Sequence, residues 1–407
     1  MTRMLKVSAL AVALASPTMP GAIQTAALAQ EAAVPVAPAP PATVAVLWQR
    51  DSARELLTYV DRVGAEGLDP ASYNPDRLRQ ALATGDDAAI TPAATELFRA
   101  LSTDLSGGAV RGRSRVQWFM PDIGLSAAQQ QQLMQRANQG GVTALLDGLL
   151  PVHPQYAGLR RALAQTSPED NARRDLIRAN MERWRWMPRS LGARHVIVNV
   201  PAFTAAVVDD GNVTVRHRTV VGARRTATPQ LSATITAITI NPWWNVPQSI
   251  IRENGGSFGG GYQVTRGAGG GMTVRQPPGP RNALGRVKVE MQNEHAIYLH
   301  DTPAQALFAR AVRAFSHGCI RTQYVRDFAA VLLAPTGQWS RATIDQTVER
   351  GRTVSARLAT PVPVYIAYFT AAATNDGDIV TYADIYGRDA PIRQALNRGG
   401  GTAVASR

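Results

Sequence analysis

The feature that most constrains how this chain can fold is a change of hydrophobic period near Leu191. Upstream, from Asp51 to about Trp186, apolar residues recur at helical spacing: Leu56, Leu57, Val60 and Val63, then Leu97, Phe98, Leu101 and Leu105, then Leu176, Ile177, Met181 and Trp184. Downstream, short β-rich runs take over at 195–200, 203–209, 232–240, 361–369 and 378–386. Helices first and strands second predict an α+β chain, an all-helical domain followed by a mainly β, sandwich-like domain with a few helices. The spacing is mostly of hairpin scale, with turn chemistry at Asp209-Asp210-Gly211-Asn212 and Asn375-Asp376-Gly377, so a largely antiparallel sheet is expected.

Helix starts are expected at Ser52-Ala53-Arg54-Glu55, which reads as a capping box, and at Asn74-Pro75, Thr91-Pro92 and Ser167-Pro168, where a capping side chain precedes a proline. These stripes are packing faces, and the helical half reads as a scaffold. Residues 255–271 hold nine glycines and few apolar side chains. By themselves they predict a disordered loop; beside a cleft they would make a mobile lid.

The first residues bear on compartment. Arg3 and Lys6 precede the apolar stretch Val7 to Ala15, and Ala27-Leu28-Ala29 has the small-x-small pattern of a cleavage site, which predicts a signal peptide over 1–29. Residues 30–47 form a Pro/Ala-rich linker. Loss of Arg3 and Lys6 would lower the formal charge from +13 to +11. On an exported chain that charge suits anionic lipid or carboxylate-rich cell wall, and a nucleic-acid partner is not expected. No apolar run is long enough for a spanning helix. The single cysteine, Cys319, excludes an internal disulfide, so it is either buried and inert or a working thiol.

That cysteine lies in Ser316-His317-Gly318-Cys319-Ile320-Arg321. Upstream, in the strand 296–300, Tyr298 and His300 point to one side and Ile297 and Leu299 to the other. A helix capped by Thr302 is expected over Ala304–Val312, and a second is expected to open near Thr322, its dipole lowering the Cys319 pKa. These are the pieces of a cysteine acyl transfer: Cys319 as nucleophile, His300 as base, Gly318 for a tight turn whose N–H groups meet an oxyanion, and Arg321 as a fork for a carboxylate. The six histidines are dispersed without paired-ligand spacing, so neither metal nor cofactor is expected.

SHGCIR resembles the active-site signature of the L,D-transpeptidase (YkuD-type) family. NPWWNVP at 241–247, RQPPGPRNALGRVK at 275–288, YLHDTP at 298–303 and AFSHGCIR at 314–321 are similar to its large Gram-negative members. AEGLDPASY at 65–73, HPQYAGLRRAL at 153–163 and IYGRDAPIRQAL at 385–396 extend the resemblance to their helical scaffold and C-terminal end. The resemblance implies a scaffold domain over 48–187, a catalytic domain over 188–370 with a Gly-rich lid at 252–273, and a C-terminal extension over 371–407. It implies Cys319 as nucleophile, His300 as base, His317 and Gly318 as loop and oxyanion residues, and Arg321, Ser316, Tyr298 and Trp244 as substrate contacts. Asp301 follows the strand end, so the group orienting His300 is expected to be a backbone carbonyl.

The implied activity is a peptidoglycan 3→3 cross-link made in the periplasm between donor and acceptor stem peptides. Carbapenems would be covalent inhibitors and cell-wall synthesis proteins possible partners. The alternatives are an L,D-carboxypeptidase or endopeptidase using water, and an inactive cell-wall-binding scaffold. Two departures stand out: no room for a peptidoglycan-binding module between His153 and the 168–187 helix, and a short, glycine-rich lid.

Overall fold

A computed structural model describes residues 47–267, 269–374 and 377–398. The expected signal peptide, all of the linker but Leu47, the turn residues Asn375 and Asp376, and the tail from 399 lie outside the described residues.

Seven helices come first: α1 (Arg50–Asp61), α2 (Pro75–Thr84), α3 (Asp87–Gly107), α4 (Ala127–Asn138), α5 (Val142–Asp147), α6 (Pro154–Gln165) and α7 (Asn171–Trp186). Their apolar stripes bury Leu56, Val60, Leu97, Phe98, Leu101 and Leu105 in one core, and Trp48 joins it with its ring centroid 5.5 Å from that of Phe98.

The expected caps are redistributed. Gln49, not Ser52, is the N-cap of α1. The Ser52 hydroxyl donates to the Asn138 carbonyl, and Glu55 accepts the Val142 and Thr143 N–H groups at 3.0 and 2.9 Å, so it caps α5 instead. Those backbone donors hold the Glu55 carboxyl below its usual range. Asp86 caps α3, which opens at Asp87, five residues before the expected Pro92 start, and Thr91 accepts the Trp48 N–H. Asp170, not Ser167, caps α7. The capping box that does form is Ser126 with Gln129 on α4. Capping motifs are short enough to recur where tertiary contacts put the side chain to another use.

The β half comprises β1 (Arg194–Asn199), β2 (Thr204–Asp209), β3 (Asn212–Gly222), β4 (Leu231–Ile240), β5 (Trp244–Asn245), α8 (Gln248–Glu253), β6 (Gln263–Arg266), β7 (Met272–Gln276), β8 (Val287–Met291), β9 (Leu299–His300), β10 (Ala314–Ser316), β11 (Ile320–Thr322), α9 (Val325–Leu333), α10 (Arg341–Glu349), β12 (Val354–Ala367), β13 (Ala371–Ala373), β14 (Ile379–Thr381) and α11 (Asp389–Asn397). Nine strands form one sheet in the order β10-β3-β11-β9-β8-β4-β12-β1-β2, and β2 also pairs with β3, which closes the sheet on itself. The β2–β3 hairpin turns at Asp210 and Gly211, both at positive φ. Most pairings are antiparallel, while β1–β12, β3–β10 and β9–β11 are parallel. Phe328, Leu332 and Leu333 of α9 pack with β-strand residues such as Val221, Val289 and Val364 in one core.

Two expectations fail here. Residues 304–312 hold only a 3-10 turn, Gln305–Ala309, with Phe308 buried and Val312 exposed. The glycine-rich segment contributes strand β6, which joins the flanking β7 and β5 in a three-stranded sheet. Val246, Ile251 and Val274 form its small core, against which Trp244, Phe258, Tyr262 and Met272 pack.

Helical and β halves cluster as one unit, and buried charge lies between them. Arg183 of α7 meets Asp389 of α11 at 2.6 Å, both almost fully buried. Asp389 also accepts from the Thr370 hydroxyl at 3.0 Å. Removing one partner of such a pair leaves a desolvated charge, so Asp389→Ala is expected to lower unfolding free energy by about 3 kcal/mol. Urea denaturation against the parent protein measures this.

Candidate functional site

The site follows from strand register. Strands β9 and β11 run parallel with Ile320 opposite Leu299 and Arg321 opposite His300, and the Ile320 N–H donates to the Tyr298 carbonyl at 3.0 Å. Alternation then puts Cys319, Arg321, Tyr298 and His300 on one face, while Ile297, Leu299 and Ile320 enter the core. Strand β8 adds Lys288, which lies opposite His300, and its Val287, Val289 and Met291 face inward.

Cys319 is half-buried. Its thiol reaches the Ala296 carbonyl at 3.6 Å, where Ala296 sits at φ 51° in a turn built by Asn293, whose amide group donates to the Met291 and Ile297 carbonyls. The Tyr298 N–H and hydroxyl, Lys288 and Arg321 all favour the thiolate, but burial outweighs them and pushes the Cys319 thiol up from its ordinary value. The expected dipole effect does not prevail. Helix α9 opens only at Val325, beyond the whole of β11, and desolvation of the sulfur sets the sign.

His300 is buried, and its Nδ1 lies 2.5 Å from the Asp301 carbonyl oxygen. That contact makes Nδ1 the donor, and the Leu284 backbone is a second hydrogen-bond partner of the ring. The Asp301 carboxylate turns elsewhere, accepting the Arg286 N–H at 2.8 Å and closing against Gly285, where a Cβ would meet its carboxyl carbon at 2.4 Å. Burial first, then the Arg321 and Lys288 charges, push the His300 pKa down to about 3. The resting pair is therefore a neutral thiol and a neutral imidazole. Tyr298 links them: its ring centroid is 5.6 Å from that of His300, and its hydroxyl interacts with both Cys319 and Trp244. Lys288 sits 4.6 Å over that ring and 2.7 Å from Glu290.

The motif loop differs from expectation in two respects. Ser316, expected as a substrate contact, is buried and works within the loop, its hydroxyl donating to the Cys319 carbonyl at 2.5 Å. The same oxygen accepts the Gly318 N–H at 3.2 Å. That N–H is thus committed, leaving Cys319's own N–H as the loop's donor toward an oxyanion. Gly318 adopts φ +116°, a left-handed-side conformation that explains the glycine. His317 points outward, its Nε2 2.8 Å from Glu253 at the end of α8. Glu253 also meets Arg225 at 3.2 Å. Helix α8 and the three-stranded sheet therefore touch the site at two points, Glu253 to His317 and Trp244 of β5 to Tyr298. Glu253 and the Ala296 carbonyl carry no motif signal, whereas Lys288 closes the 275–288 string. Arg321 has a buried Nε with no protein acceptor among the described residues.

Residues 193–364 match the L,D-transpeptidase catalytic domain family, and residues 43–163 match the Scaffold domain family. The chain carries an L,D-transpeptidase catalytic domain. A Haemophilus influenzae protein named "Putative L,D-transpeptidase" is 31% identical over 255 residues, covering 56% of this chain and 51% of that protein. The chain thus spans about half the length of that curated relative. Among solved structures, L,D-transpeptidase 3 from Mycobacterium tuberculosis in complex with a faropenem-derived adduct is 16% identical, covering 43% of this chain and 60% of that one at a TM-score of 0.24. The L,D-transpeptidase from Stackebrandtia nassauensis is 12% identical, covering 67% and 91% at a TM-score of 0.21.

A neutral thiol–imidazole pair has a distinct pH signature. The rate of Cys319 alkylation by iodoacetamide is expected to rise about tenfold per pH unit from pH 7 to 9, tracking the thiolate fraction. A plateau already reached at pH 7 would mean a preformed ion pair. His300 adds a stability term: its folded pKa, about 3, lies below the ordinary 6.5. The unfolded chain alone binds that proton between those values, so stability from His300 is present above pH 6.5 and falls as pH drops toward 3.

Proposed function

We propose that the chain is an exported peptidoglycan L,D-transpeptidase that forms 3→3 cross-links through a Cys319 thioester. The observation that carries this reading is the shared face of Cys319, Tyr298 and His300, with His300 held through Nδ1 so that Nε2 can take a proton. In the first step Cys319 Sγ attacks the carbonyl joining the third-position diaminopimelate to the terminal D-alanine of a tetrapeptide stem, as its proton passes to His300. A low-pKa imidazole is a weak base, so transfer must accompany attack rather than precede it. Cys319's own N–H faces the oxyanion. The tetrahedral intermediate expels D-alanine, which leaves as the amine with the proton from His300, and a thioester remains. The side-chain amine of a second stem's diaminopimelate then attacks the thioester, releasing the thiol and making the new amide.

Arg321 suits a stem carboxylate, since its half-buried guanidinium lacks a protein acceptor for Nε. Lid order favours transfer over hydrolysis: a built three-stranded sheet with its own apolar core abuts the site through Trp244 and Glu253 and can shield the thioester from water. The periplasm is the proposed compartment, from the leader pattern in residues 1–29. Carbapenem acylation of Cys319 belongs to the same reading.

Purified protein incubated with disaccharide-tetrapeptide is expected to yield 3→3 dimers and free D-alanine by mass spectrometry, and Cys319→Ala to yield neither. His300→Gln should lower turnover by about 10²–10⁴-fold. Free tripeptide without dimers would instead mark the carboxypeptidase, and full biological effect from Cys319→Ala would mark the scaffold.

A further inference from the structure

The loop that carries Cys319 is anchored from far along the chain by buried hydrogen bonds. Thr228, fully buried between β3 and β4, donates its hydroxyl to the Gly318 carbonyl at 2.8 Å and accepts the Gly222 N–H at 2.9 Å. Thr226 beside it donates to the Ser316 carbonyl at 2.9 Å. Thr228 is itself held from the C-terminal segment. Arg388 donates to its carbonyl at 2.9 Å, and the Tyr386 hydroxyl accepts its N–H at 3.3 Å while donating to the Gly222 carbonyl at 2.5 Å.

Arg388 is almost fully buried, with no carboxylate on its guanidinium among the described residues. It lies 4.8 Å from both the Tyr368 and Tyr386 rings and also donates to Gln117 of the helical half. Asp384 pins this segment by accepting the Arg388 and Asp389 N–H groups at 2.8 and 2.9 Å and the Tyr368 hydroxyl at 2.7 Å. Gly222 has no room for a side chain, since a Cβ there would lie 2.1 Å from the Thr226 carbonyl oxygen.

A trans peptide points its C=O and N–H in opposite directions. Holding the Gly318 carbonyl on one side therefore aims the Cys319 N–H at the other. We propose that Thr228, backed by Arg388 and Tyr386, is a positioning residue for the acyl-transfer reaction. It fixes the Gly318–Cys319 peptide so that the Cys319 N–H is preset for the oxyanion. This inference rests on the acyl-transfer reading above and goes beyond it by assigning the C-terminal segment a part in catalysis. The segment also ties the loop to the scaffold, through Gln117 on Arg388 and Arg183 on Asp389.

Two reactions of the same sulfur separate positioning from mere packing. Carbapenem acylation passes through an oxyanion, whereas iodoacetamide alkylation needs only an accessible thiolate. Both are followed by intact-protein mass spectrometry on the full chain. Thr228→Val is expected to slow acylation about tenfold or more, with alkylation at the same pH within about twofold of the parent. Thr228→Ser, which keeps the hydroxyl, should restore acylation. Tyr386→Phe should slow acylation less than Thr228→Val, with alkylation again unchanged; if Thr228→Val does not fold, Tyr386→Phe decides alone. Acylation at the parent rate in the deciding variant, or a parallel fall of both reactions, overturns the inference. A parent protein that forms no carbapenem adduct overturns the acyl-transfer reading together with it.

Discussion

The parallel pairing of β9 with β11 is the constraint on which the site depends. Each is two or three residues long, and together they hold Arg321 against His300 and the Cys319 end of the loop against Tyr298. A slip of one residue in either strand would send Ile297 and Leu299, or Ile320, to the cleft and bury the polar set in the core. The neighbours defend the register. Val289 of β8 pairs with Leu299, and Val220 of β3 pairs with Arg321, so neither short strand is an edge of the sheet.

The electrostatics of that face follow from its burial. Lys288 and Arg321 bring positive charge to the thiol and imidazole, which favours thiolate and disfavours imidazolium. Desolvation acts on both groups toward neutrality, and it is the largest influence on each. In the proposed acyl transfer, a sulfur that stays protonated at rest would be protected from stray oxidation and alkylation, and His300 would take its proton only as attack begins. The Asp301 carbonyl serves where another enzyme would use a carboxylate, and a neutral acceptor does not raise the imidazole pKa as a charge would.

Part of this was legible in the residues. The period change near Leu191 separates α1–α7 from the strands that follow, because helices and half-buried strands place apolar side chains at different intervals. Tyr298 and His300 share a face by simple alternation, and Gly318 occupies a conformation that glycine tolerates. Other readings failed where local pattern met tertiary demand. Glu55 has the spacing of a capping-box acid, yet the N-terminus of α5 packs beside it and takes both oxygens. Residues 304–312 have a helical stripe, but the chain must return to pair β10 with β3, and only one short turn survives. The glycines of 255–271 hide a sheet whose core comes mostly from flanking residues, Val246, Ile251 and Val274.

From its sequence alone, the protein is an α+β chain with one thiol, an imidazole on a nearby strand and a family signature around them. These are properties of spacing and residue type, which act over a few neighbours and survive in the linear order. Which hydrogen bonds the loop makes was decided only by the fold. Ser316 turned inward, the Gly318 N–H was consumed, and Thr228 reached the loop from 90 residues upstream, itself held by Tyr386 and Arg388 of the C-terminal segment. The sign of the Cys319 shift was likewise a tertiary outcome, because desolvation depends on everything packed around an atom and not on the residues beside it in the chain.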